Sequence, residues 1–305
     1  MRTSTNYYEN AFWKTMCQQP CDAHDLHEGQ RSDGAFAIPA RFTDVYTKAL
    51  ERENLFRRFG TVVNAPVADG KIIAIHSDGD AFLVNENETI PESNDAVSKE
   101  TYHAYKLASI TRLREEFVRD NRFDLHGYLS RDFARRFGRA EEKIFLNGTG
   151  EKQPFGLLHD EKGAQTGATA GESISYDDIV RLYHALKPEY RRKAVWIMHD
   201  DTAMALRMLK DENGMPLWNH TNDTIFGRPV VISLHMPKAE AGYKPILFGD
   251  LSYFWMIEYD ELSVKPLYEH YVMEHDIGYV AYERLDGRLI RVEAVQALAM
   301  PTAAE

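Results

Sequence analysis

At 305 residues, with 44% hydrophobic and 27% charged side chains, the chain is long enough for one large domain or two and has the composition of a globular protein. A formal net charge of −11 excludes a protein whose main task is gripping nucleic-acid phosphates, although an acidic wall can enclose DNA without adhering to it. No apolar run approaches the ~20 residues of a membrane span, the first residues lack the apolar core of a signal peptide, and two cysteines point to synthesis in a reducing cytoplasm.

Residues 1–34 read as an arm. Tyr7, Tyr8, Phe12, Trp13 and Met16 give a helical turn or two an aromatic face, followed by a polar, breaker-rich stretch that cannot bury a core alone. Exposed aromatics of this kind are expected to lie on a neighbouring subunit, with Tyr8, Phe12 and Trp13 as contact residues. Cys17, Cys21, His24 and His27 are zinc-like types at close spacing, but no loop separates two ligand pairs and Pro20 interrupts them. They read as incidental, and no metal or cofactor is expected. Gly34 to Phe59 opens with GAFAIPARF and continues as an amphipathic helix through Val45, Tyr46, Ala49 and Leu50.

Phe59 to Phe117 reads as extended. Ile72, Ile73 and Ile75 make one strand, Ala81 to Val84 another, and an acidic segment from Asn85 to Ser98 carries Pro91. The run from Thr101 to Leu113 then returns in alternation, completing a long two-stranded excursion without an evident core. Next comes the longest helical pattern. Leu125, Leu129, Phe133, Phe137, Ala140 and Ile144 keep one stripe over residues 123–146, a rod of roughly 35 Å. Asp124 is placed to cap its start and Asn147-Gly148 to stop it in the left-handed region, while Arg131, Asp132, Arg135, Arg136, Arg139, Glu141, Glu142 and Lys143 form the polar face. Gly148-Thr149-Gly150 and Pro154-Phe155-Gly156-Leu157 make a glycine turn.

Residues 159–174 read as a Gly/Ala/Thr-rich surface segment, followed by a helix that Ser175 opens with Asp177 and Asp178 in its first turn. Ala194 to Met198 is a buried-type strand, Thr202 to Leu209 a helix, and Arg228 to Ser233 and Ile246 to Asp250 are strands. Asp286-Gly287 reads as a hairpin turn between strands at Tyr279–Arg284 and Leu289–Glu293.

In this order the features resemble the HK97-fold major capsid proteins of tailed phages. Gly148, Gly150, Pro154, Gly156 and Leu157 match the turn that ends the family's spine helix, and the GAFAIP run is similar to the opening of its peripheral domain. Asn87-Glu88-Thr89-Ile90-Pro91-Glu92-Ser93 is similar to an element near the tip of the family's E-loop. Trp196, Met198, His199, Thr202, Lys210-Asp211, Gly214, Pro216-Leu217, Gly227, Pro229-Val230 and Gly249-Asp250 follow the series of its axial domain, and Glu283-Arg284, Asp286-Gly287 and Glu293-Ala294-Val295 resemble closing strands of the peripheral domain. The resemblance covers about residues 31–298. It implies an α+β fold with an arm (1–34), a peripheral domain (35–70, 109–170 with the spine helix at 123–146, and 263–305), an E-loop hairpin (71–108) and an axial domain (171–262).

The function implied is structural: self-assembly through pentamers and hexamers into an icosahedral virion shell, built in the host cytoplasm and enclosing double-stranded DNA without reading its sequence. Scaffolding, portal and decoration proteins are further candidate partners, and no membrane is involved. Glu86, Glu88 and Glu92 at the hairpin tip are expected to meet basic residues of a neighbour, with Arg131 and Arg135 as candidates. Some family members weld their shells through a loop lysine, an asparagine and a glutamate base. Here no lysine lies between Lys71 and Lys99, and the asparagine and glutamate positions fall near His275 and Tyr282, so non-covalent shells are implied. An encapsulin-type compartment around a cargo enzyme is the alternative within the fold. A hydrolase is the enzyme alternative, but His199-Asp200-Asp201 reads as a strand end and a helix start with Asp200 or Asp201 as its N-cap, Glu115-Glu116 as two faces of a strand, and Gly148-Thr149-Gly150 lacks the Lys of a phosphate loop.

Overall fold

The predicted apolar stripe becomes a helix over Leu125–Asn147 in the computed structural model, which describes residues 5–31, 34–76, 83, 96–120, 122–210, 214–219 and 221–302. Asp124 caps it by accepting from the Gly127 backbone N–H at 2.9 Å, and Leu125, Leu129, Phe133 and Phe137 are buried. Toward its end the buried face turns to Glu141, Phe145 and Leu146, and Asp132 is also buried. The polar face is thus narrower than the sequence pattern predicts, because the helix Ala40–Glu53 and the strand Tyr105–Arg114 both cover the rod.

The helix stop works differently from the predicted one. Gly148 has φ −63°, outside the left-handed region, and is required for room: a Cβ there would stand 2.2 Å from the Pro154 carbonyl oxygen. The chain folds back so that the Leu157 and Leu158 N–H groups donate to the Phe145 and Leu146 carbonyls, at 2.8 and 2.9 Å. Those are carbonyls that the last turn leaves without intrahelical partners. Gly150, at φ +78°, and Lys152, at φ 56°, make the left-handed residues of the turn.

Among the described residues the strands fall into three sheets. One runs in the order Phe36–Ala37, Phe254–Leu267, Asp276–Leu289, Tyr105–Arg114, with Thr61–Asn64 alongside Phe254–Leu267 in parallel. A second, seven-stranded, runs Gln165–Thr169, Val295–Ala299, Ile246–Gly249, Val195–Met198, Arg228–Ile232, Thr224–Ile225, Trp218–Asn219. The third is an antiparallel ribbon of Asp69–His76 and Ala96–His103, paired from Asp69 with His103 to His76 with Ala96. The arm helix, the helix Ala40–Glu53 and the first half of the long helix close one core over the first sheet. The end of the long helix carries Phe145 and Leu146 into a core that also takes Ile197, Leu247 and Phe254, joining the first two sheets. Helices Tyr176–Ala185 and Asp200–Met208 close the other face of the seven-stranded sheet.

Several boundaries move. Val295–Ala299 pairs with Ile246–Gly249 and Gln165–Thr169 in the seven-stranded sheet, so residues 263–305 do not all belong with the closing strands of the first. Conversely Phe254–Leu267 belongs to the first sheet from its start, earlier than the boundary at 262. The ribbon ends at His103, and Tyr105–Arg114 is already part of the first sheet. The segment 159–174 contributes a sheet-edge strand, and the predicted strand at Ala81 to Val84 lies outside the described residues except Leu83.

Asp286-Gly287 is no turn. Both residues sit inside Asp276–Leu289, opposite Ile257 and Met256. The glycine is there because the Phe145 ring approaches to 2.5 Å of where a Cβ would be, and Asp286 is buried, accepting from the His103 N–H at 3.0 Å. Glu115-Glu116 open the short helix Glu115–Arg119, with Glu115 paired to Arg119 one turn on. The helix after the strand Val195–Met198 is capped by His199, whose Nδ1 accepts from the Asp201 N–H at 3.1 Å. Ser175 and Asp178 form a complete capping box, in line with the predicted start.

Candidate subunit-contact surfaces

The arm forms the helix Asn6–Met16, capped by Thr5. Its aromatic face does not wait for a neighbour. Tyr8 and Phe12 are 1% and 0% exposed, packed with Met16 and Leu26 against Phe42 and Tyr279 of the same chain. Trp13 stacks on Phe42 with ring centroids 5.8 Å apart. The expectation that Tyr8 and Phe12 are free contact residues is therefore corrected: the helix has a polar outer side, and burying its apolar side at home is favourable. Tyr279 donates its hydroxyl to the Met16 carbonyl at 2.7 Å, and Tyr268 donates to that of Thr15, so two carbonyls of the last turn are satisfied by the body. Of the arm aromatics Tyr7 alone is well exposed, at 77%. Cys17 and Cys21 are free, partly buried thiols, and burial pushes Cys17 above its ordinary range. Among the described residues no three His, Cys, Asp or Glu side chains stand close enough to hold a metal ion.

Glu86, Glu88 and Glu92 lie outside the described residues. The long-helix arginines are among the described residues. Asp132 accepts from Arg135 and from Arg136 Nε at 2.8 Å each, and from the Thr111 hydroxyl at 2.6 Å. Arg135 is thus engaged within its own subunit, whereas Arg131 is exposed. Basic side chains also gather around a groove of about 990 Å³ between the helix Ala40–Glu53, the long helix and the strand Arg228–Ile232. Lys48, Arg52, Arg58 and Arg139 line it together with Glu51, Glu53 and Glu142, and the exposed Ile232 and Leu234 also border it.

Sequence reasoning missed a buried charge cluster. Arg57 donates from Nε to Glu141 Oε2 at 2.8 Å and also pairs with Glu258, while Asn54 donates to the same Glu141 oxygen at 2.6 Å. Beside them Tyr46 donates to Glu283 Oε2 at 3.3 Å, and Glu283 Oε1 is buried without a partner among the described residues. Burial first, then the Glu141 carboxylate, push the Glu283 carboxyl well above its usual range, against the pull of Arg57. Glu283 also stands one residue past Tyr282, where the family's glutamate was expected to be missing; a buried glutamate is present, though engaged by Tyr46. His275, at the asparagine position, is an exposed residue in the left-handed region at φ 55°. The cluster joins side chains far apart in sequence, so spacing alone held no trace of it. Sequence reading also passed over Met204 and Met208, exposed one helical turn apart, and Met273 at the tip of the turn between the central strands.

Comparison with known proteins adds to this geometry. The sequence pattern of the Phage capsid family matches residues 34–300. The capsid polyprotein of Pseudomonas phage PAJU2 is 24% identical over 180 residues, 56% of this chain and 27% of that protein. A probable major capsid protein of Mycobacterium phage D29 is 23% identical over 209 residues, 65% of each chain. These matches thus span less than two thirds of either curated relative. Among solved structures, the capsid of an empty GTA particle superposes with a TM-score of 0.68 at 25% identity, covering 82% of this chain and 90% of that one.

Proposed function

This chain belongs to the phage capsid family and is a structural major capsid protein of HK97-like fold, and on that premise we propose how its parts build a shell. Copies associate into pentamers and hexamers that close an icosahedral head around double-stranded DNA, assembled in the host cytoplasm. The first sheet with the long helix serves as the peripheral domain, and the seven-stranded sheet with its helices as the axial domain. The observation that supports this reading best is the ribbon Asp69–His76/Ala96–His103. Of its residues whose burial is described, only Ala74 and Tyr102 are buried, and of these only Tyr102 lies at its base. A two-stranded ribbon is marginal alone, and a neighbouring copy in a closed shell supplies the missing face. Electron microscopy of the purified protein tests this: hollow particles are expected, and a protein that stays monomeric under all salt and crowding conditions would count against it. DNA retained by native particles, rather than a cargo enzyme, separates a head from a compartment.

Two expected results follow for assembly. Because Arg135 and Arg136 are held by Asp132 while Arg131 is exposed, Glu86, Glu88 and Glu92 are assigned to Arg131 and to basic side chains such as Lys48, Arg52 and Arg58 of the next copy. Changing Glu86→Lys and Glu88→Lys should then shift the salt range for assembly while the unassembled subunit melts as before. Each rim ion pair contributes only about 0–1 kcal/mol, so the shift must come from repetition around the shell. Equal loss of subunit stability would mean that the tip packs internally. The second result is covalent. With no lysine between Lys71 and Lys99 to act as nucleophile, mature particles boiled in detergent should run as one band near 35.0 kDa. A reductant-resistant ladder of oligomers would refute it.

A further inference from the structure

We propose that protonation of His126 releases the arm helix Asn6–Met16 from its seat, making the arm an acid-sensitive element of the subunit. His126 stands in the first turn of the long helix, where three elements meet. Its ring plane is nearly perpendicular to that of Trp13 of the arm, with centroids 4.9 Å apart, and to that of Phe42 of the helix Ala40–Glu53, with centroids 5.6 Å apart. Its Nε2 is buried and has no hydrogen-bond partner among the described residues. A neutral imidazole can leave that nitrogen as an idle acceptor, but an imidazolium carries N–H donors on both nitrogens, and this one would be buried without an acceptor.

The charged groups around it act in both directions. Glu9 on the arm and Asp124 before the long helix favour the charged ring, while Arg41 on the helix Ala40–Glu53 and Arg131 on the long helix oppose it. Burial leads, and it holds the folded-state pKa below the ordinary imidazole value. The sign follows: docking binds fewer protons than release, so the docked arm is stable above the ordinary value, about 6.5, and loses stability as pH falls below it. Moving the arm is the direct relief. It takes Trp13 off the ring and admits water, whereas the two body helices stay packed through Leu50, Phe133 and Phe137.

This inference concerns the unassembled subunit and does not depend on shell formation. Amide hydrogen exchange read by mass spectrometry, corrected for intrinsic rates with an unstructured peptide, tests it at about pH 7.5 and about pH 5. Protection of residues 6–16 should fall at least about tenfold at the lower pH while residues 139–147 hold theirs. His126→Phe, which keeps the ring and removes the proton, should keep the arm protected at both. Equal arm protection of the unaltered chain at the two pH values would overturn the inference without any variant, and so would equal acid loss in His126→Phe.

Discussion

An Arg57→Met subunit is expected to be less stable by about 3–5 kcal/mol, the range for removing one partner from a buried ion pair. Arg57 is the cation that meets Glu141, which is 0% exposed, and it also pairs with Glu258. Methionine fills much of the same volume, so the loss reports charge rather than a cavity. The pH dependence gives a second check. The Glu283 carboxyl is raised in the folded state, so its contribution is complete below the ordinary glutamate value and is lost as pH rises through the folded-state value. Without Arg57 the folded-state value rises further, because the guanidinium was the group lowering it, so the loss extends to higher pH and is larger. Urea titrations should therefore find the variant's deficit larger at about pH 9 than at about pH 5. A deficit under about 1 kcal/mol, flat with pH, would mean that the cluster is solvated and the arginine merely a surface partner.

Much of the fold was legible because local chemistry and global role agree. The stripe Leu125, Leu129, Phe133, Phe137, the cap at Asp124 and the capping box at Ser175 all act within a few residues of where they are written. What was not legible depends on neighbours brought in from afar. Asp286-Gly287 carries a strong hairpin signature, yet the glycine serves the approach of Phe145, some 140 positions earlier in the chain. His199, and not the predicted Asp200 or Asp201, caps the helix that follows it. The strand Val295–Ala299 looks like a continuation of the strands before it, and only its pairing with Gln165–Thr169 and Ile246–Gly249 moves it to the other sheet. The candidate contact residues divide in the same way. Exposed charges such as Arg131 are readable as exposed, but an aromatic face reads the same whether its partner is a neighbour or the chain's own body.

Phe12→Ala should therefore act on the subunit itself, lowering its stability by about 3–5 kcal/mol. Phe12 is 0% exposed, sits edge-on to Trp13 with ring centroids 5.0 Å apart, and shares a core with Tyr8, Met16, Phe42 and Tyr279. Truncation leaves a cavity at a junction whose other walls belong to the long helix and the first sheet, and these cannot collapse onto it without moving. Tyr7→Ala is the matched control, since Tyr7 is 77% exposed, five residues earlier on the same helix. It should leave the melting of the unassembled subunit within about 0.5 kcal/mol. The pair separates two roles that deleting residues 2–30 would mix, because deletion would strip Tyr8, Phe12, Met16 and Leu26 from the core along with the outer surface. If Tyr7→Ala melts normally yet forms particles poorly, the outward side of the arm is the inter-subunit contact and the inward side its anchor. If Phe12→Ala melts like the unaltered subunit, the arm is not seated on its own body, and the aromatic face is free for a neighbour after all.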